Sequence, residues 1–91
     1  MQESRVILFA GRVQGVGFRM TTVQLARGLE LSGTVRNLAD GRVELVVQGP
    51  AAEIETLVGR LREHFGELIR RVEQAPHAAS GQANDGIQIV H

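Results

Sequence analysis

The stretch from Pro50 to Gly66 constrains the fold most. Ile54, Leu57, Val58, Leu61 and Phe65 recur at three- and four-residue intervals and form one apolar stripe, while Glu53, Glu55, Arg60 and Arg62 make the other face charged and solvated. Pro50 suits a first helical position and Gly66 ends the pattern. A helix with a single apolar stripe must bury it against a second layer, so the remaining segments have to supply one.

They do so as short strands and one further helix. Val6-Ile7-Leu8-Phe9-Ala10, between Arg5 and Arg12, predicts a central strand buried on both faces. Phe18, Thr22, Leu25, Ala26 and Leu29 keep helical spacing up to about Glu30, against the cost of about 1 kcal/mol that Gly28 brings. Thr34 to Leu38 and Arg42 to Gln48 flank Ala39-Asp40-Gly41, a tight-turn sequence, and predict a β-hairpin in which Val43, Leu45 and Val47 share one face. Leu68 to Ala75 reads as a strand, Pro76 to Gly86 as a mobile polar loop, and Ile87 to Val90 as a last strand. The order β-α-β-β-α-β plus a short C-terminal strand is that of an α+β, ferredoxin-like split β-α-β sandwich. Two helices then lie on one face of a largely antiparallel sheet.

Composition narrows the functions. At 91 residues the chain is expected to be one domain over residues 1–91. Its 43% hydrophobic and 22% charged content is that of a globular protein. Ten basic and ten acidic residues cancel, so no global field draws the chain to nucleic acid or to an anionic membrane. Only Phe9, Phe18 and Phe65 are aromatic, too few for a base-stacking sheet. The absence of cysteine removes disulfides, thiolate metal sites and thiol nucleophiles. With neither a leader-like N-terminus nor a membrane-length apolar run, the expectation is a cytoplasmic monomer without nucleic-acid or membrane partners.

The segment between first strand and first helix carries the chemistry. In Gly11-Arg12-Val13-Gln14-Gly15-Val16-Gly17-Phe18-Arg19, the glycines at 15 and 17 permit positive φ, so successive N–H groups can converge on one oxyanion beside the helix start. Arg19 adds a planar guanidinium suited to two phosphate oxygens. Taken alone, such a turn is more often the mark of a simple chain reversal with Arg19 as a surface charge. A P-loop is excluded because no Gly-Lys-Ser/Thr follows, and a dinucleotide loop because Met20 stands where its third glycine belongs.

Gly11 to Arg19 resembles the first signature of the acylphosphatase family. Gly33-Thr34-Val35-Arg36-Asn37, followed by Gly41-Arg42-Val43 and Gly49, resembles the second, and the similarity extends more loosely to Gly86-Ile87-Gln88-Ile89. The resemblance implies hydrolysis of the carboxyl-phosphate bond of small acyl phosphates, releasing a carboxylate and inorganic phosphate, with no metal and no cofactor. It implies phosphate binding by the backbone of Gln14, Gly15, Val16, Gly17, Phe18 and Arg19, a catalytic role for Arg19, and a nucleophilic water oriented by Asn37. By itself Asn37 would read as a residue of the hairpin turn. Two positions depart from the family pattern: Thr34 replaces a bulky residue, which would alter the wall of the site, and Ile87 replaces a common Phe.

The chemistry fits a chain with so few reactive groups. His64, His77 and His91 lack metal-ligand spacing, lie far from the motif in sequence, and are assigned no role. An acyl phosphate leaves as a carboxylate of pKa about 4, so no general acid has to protonate it. Phosphoryl transfer through a loose transition state needs mainly positioning and charge stabilisation. Two alternatives share the fold: a non-catalytic phosphate- or anion-binding domain, and the acylphosphatase-like part of a larger carbamoyl-transfer protein, against which the length of the chain argues.

Overall fold

A computed structural model describes residues 1–78 and 86–91. The chain forms β1 (Gln2–Gly11), α1 (Phe18–Leu25), β2 (Ser32–Asn37), β3 (Val43–Pro50), α2 (Ala51–Phe65), a 3-10 turn (Gly66–Leu68), β4 (Ile69–Pro76) and β5 (Ile87–Ile89). The strands form one sheet in the order β4-β1-β3-β2-β5, antiparallel throughout except where β5 runs parallel to β2. This is the ferredoxin-like α+β arrangement expected from the order of elements. The loop anticipated from Pro76 to Gly86 falls mostly on residues 79–85, outside the described residues; Pro76 itself ends β4, and the His77 N–H donates to the Ser4 carbonyl at 2.9 Å.

The core lies between the sheet and the two helices. Ile7, Phe9, Val35, Val43, Leu45 and Val47 point from the sheet towards Ile54, Leu57, Leu61 and Phe65 of α2, all buried. The three aromatic residues form one cluster: the Phe18 ring lies 5.0 Å from Phe9 and stacks at 4.6 Å on Phe65. Phe18 is the first residue of α1, so this cluster fixes the point at which the helix begins.

Three local expectations need correction. β1 is central but not buried on both faces: Ile7 and Phe9 are fully covered, whereas Val6, Leu8 and Ala10 are only half-buried, because both helices pack on one side of the sheet. α1 stops at Leu25 rather than near Glu30. Gly28 takes φ 84°, a turn closes through the Leu29 N–H to the Ala26 carbonyl at 3.0 Å, and Arg60 of α2 donates to the freed Leu25 carbonyl at 2.8 Å. The apolar spacing persists past the helix end because Ala26 and Leu29 still reach the core from the turn. Pro50 is the extended residue before α2 (φ −60°, ψ 133°) rather than its first residue, and it also closes β3.

Arg5 ties three elements together at the margin of the core. It donates to Glu55 of α2 at 2.6 Å, to Gln74 of β4 at 2.9 Å and to Glu3 at 2.7 Å. The hydrogen bond to Glu55, followed by that to Glu3, raises the guanidinium pKa above its ordinary value.

Candidate active site

The site forms where β1 and β2 finish at the same end of the sheet. Phe9 of β1 and Asn37 of β2 both pair with Val43 of β3, which sets them on one rung, roughly 10 Å apart across two strand spacings. The chain leaving β1 therefore starts its loop beside the hairpin that Asn37 opens. Its first residue is tied down by the Arg12 N–H, which donates to the Leu68 carbonyl at 2.8 Å.

The loop then turns through Gly15 (φ 78°) and Gly17 (φ 76°), both left-handed. A Cβ at either position would meet nothing within 4 Å, so backbone conformation and not space calls for glycine. Gly17 caps α1 without a side-chain hydrogen bond, and its carbonyl accepts the first helical bond, from the Thr21 N–H at 2.9 Å. The preceding N–H groups of the first turn have no partner further back within the helix. They are available to an anion, and the helix end adds partial positive charge.

A cleft of about 380 Å³ opens over this turn, lined by Gly15, Gly17, Arg19 and Asn37 on its polar side and by Met20 and Ile89 among its apolar residues. Arg19 and Asn37, widely separated in sequence, thus face one space. Arg19 is half-buried, and Asn37 is half-buried with a side-chain amide that makes no hydrogen bond to another described residue. The other residues of the loop divide. Phe18 lines the cleft but buries its ring in the core, so what it offers an anion is its N–H. Val16 is exposed and, like Gln14, stands outside the lining; the Gln14 side chain turns away to the hairpin.

Two placements differ from expectation. Thr34 does not form a wall of the cleft: it lies on the open face of the sheet, opposite Val46 and Gln88, while the helix-facing positions of β2 are those of Val35 and Asn37. The residue type at position 34 is therefore decided by the sheet surface. His91, set aside from the sequence, lines the cleft, and its Nδ1 lies 3.2 Å from Arg19 Nη1. The signal for it is the parallel register of β5 on β2. Ile89 pairs with Val35, so two residues on, His91 comes level with Asn37. Among the described residues no three His, Asp or Glu side chains gather as a metal-ligand group.

The hairpin turn beside the site is held by its own charge. Asp40 accepts from the Arg42 N–H at 3.1 Å and from Arg42 Nε at 2.9 Å, and the backbone donor foremost holds its carboxyl below the usual range.

Comparison with known proteins decides the family, because the acylphosphatase family model matches residues 5–86, most of the chain. The chain belongs to the acylphosphatase family. It is 42% identical over 84 residues to an acylphosphatase of Natronomonas pharaonis, covering 91% of this chain and 89% of that one. An acylphosphatase of Pseudomonas aeruginosa is 48% identical over 79 residues, covering 80% and 87%. The crystal structure of the acylphosphatase from Bacillus subtilis superimposes with a TM-score of 0.81 at 30% identity over the full length of both chains. Acylphosphatase activity is thus the function of this chain, in preference to a non-catalytic anion-binding domain. Its substrate is an acyl phosphate and its product inorganic phosphate.

Proposed function

We propose that hydrolysis proceeds by direct attack of water on the phosphorus of an acyl phosphate held in the Gly15–Arg19 turn. The reading is carried by one observation: the left-handed glycine turn, the Arg19 guanidinium and the uncommitted Asn37 amide face a single cleft. The N–H groups from Gln14 to Arg19 and the Arg19 guanidinium share the phosphoryl oxygens. They stabilise the charge that spreads over those oxygens in a loose transition state.

Asn37 supplies orientation. Its carbonyl oxygen accepts from the water and its NH₂ donates to it, which aims the oxygen lone pair at phosphorus opposite the acyl oxygen. The O–P bond to water forms as the P–O bond to the acyl group breaks, the electron pair leaves on the carboxylate, and the water proton passes to phosphate or solvent. No strong base is required, because the leaving group is already a weak base. Residues 1–91 are read as acting as one domain and as a monomer in the cytoplasm, independent of metal, nucleic acid and membrane.

The test is release of phosphate from benzoyl phosphate and acetyl phosphate in the presence of EDTA. The parent chain is expected to turn over both. Arg19→Ala is expected to lose about 10³-fold in kcat/KM, the upper range for removing a donor to a developing oxyanion. Full activity in Arg19→Ala, or none in the parent without added metal, would refute the reading.

A further inference from the structure

Gln14 belongs to the loop, yet its side chain is not committed to the loop. Its Nε2 donates to the Leu38 carbonyl at 2.8 Å and to the Arg42 carbonyl at 3.0 Å, one on each side of the hairpin turn. Those carbonyls are fixed points: the Leu38 N–H donates to Arg42 O at 2.8 Å, and the Gly41 N–H to Leu38 O at 3.1 Å. Leu38 directly follows Asn37. Among the described residues, no other hydrogen bond joins residues 12–17 to the hairpin.

We infer that Gln14 is a positioning residue that sets the distance between the phosphate turn and Asn37. Resting on the site proposed above, this assigns to its side chain a task separate from the N–H groups that face phosphate. The chemistry selects glutamine. Two carbonyl oxygens need two donated hydrogens from one head group, which a side-chain amide supplies. Methionine matches its length but donates nothing, and an ionised glutamate would bring a third and fourth oxygen against the two carbonyls. Gln14 is exposed, so its loss leaves the packed core intact.

The expected consequence is a fault of alignment rather than of binding. In Gln14→Met, kcat for benzoyl phosphate falls by about 10–100-fold, the scale of a misplacement near 1 Å, while inhibition by inorganic phosphate changes by less than about threefold. In the Asn37→Ala background the same substitution lowers kcat no further, because the group it aligned is gone. Gln14→Glu shows the defect at neutral pH and recovers only in part as pH falls past about 4, where a protonated carboxyl donates one of the two hydrogens. Gln14→Met shows no such recovery.

A parental kcat in Gln14→Met, equal losses in kcat and phosphate affinity, additive losses with Asn37→Ala, or no recovery of Gln14→Glu at low pH would each overturn the assignment. Arg19→Ala and Asn37→Ala are run in parallel. If both keep full turnover, the site itself is wrong; if both are impaired while Gln14→Met is not, only the positioning role fails.

Discussion

The turn around Gly15 and Gly17 and the end of β2 at Asn37 meet in one cleft but are built on opposite principles. The turn owes its shape to backbone: Gly15 and Gly17 take φ 78° and 76°, with nothing within 4 Å of where their Cβ atoms would be. Asn37 owes its place to strand register, on the same rung as Phe9 through Val43. In the mechanism proposed above, an anion cradle needs only a few consecutive residues, whereas aiming a water at it takes a contact between distant segments.

That difference can be broken first from below. Phe18→Ala removes the ring that stacks between Phe9 and Phe65 and anchors the start of α1, and is expected to cost about 3–5 kcal/mol in chemical denaturation. Loss of that order would leave a small domain marginal and abolish both functions of the cleft together.

Asn37→Ala should separate them. The expected result is a fall in kcat of about 100-fold with an unchanged melting temperature, read by steady-state kinetics and calorimetry. A rise in KM with parental kcat would place Asn37 in substrate binding instead.

Gly17→Ala probes the backbone half alone. An L-residue held at φ 76° costs roughly 1–2 kcal/mol, and with open space around the new methyl the penalty is conformational, not steric. Unfolding curves should show that loss, and weaker phosphate inhibition should accompany it. A Gly17→Ala chain as stable as the parent would mean that the turn does not need its left-handed residue.

Asp40→Asn is the mildest change. Because the Arg42 backbone N–H and guanidinium depress the Asp40 pKa in the folded chain, its stabilisation is present above the unfolded value of about 3.9 and is lost as pH falls through the folded value. The melting temperature of the variant should therefore lie slightly below the parent at pH 7 and meet it in acid, once pH has fallen through the folded value. A gap that persists in acid would assign the effect to shape, not charge.

The two regions were unequally legible in the sequence. The shape of the turn could be read directly, since Gly15 and Gly17 stand two residues apart and both take positive φ, whereas a phosphate role for it came only with the family resemblance. The stripe of α2 and the alternation of Val43, Leu45 and Val47 were equally open, because period alone reveals them. Asn37 needed a family resemblance, and the Gln14 bridge and the approach of His91 to Arg19 needed register, which no residue pattern states. The overlong reading of α1 has a similar origin. Ala26 and Leu29 serve the core from a turn, so helical spacing outlives the helix itself.

The division of labour between the two regions is tested most directly by calorimetric titration of inorganic phosphate into the parent, Arg19→Ala and Asn37→Ala. Arg19→Ala is expected to weaken binding by about 100-fold, the scale of losing a charge-assisted bidentate contact, and Asn37→Ala to stay within about threefold of the parent. Equal weakening in the two variants, or tight binding without Arg19, would contradict that division.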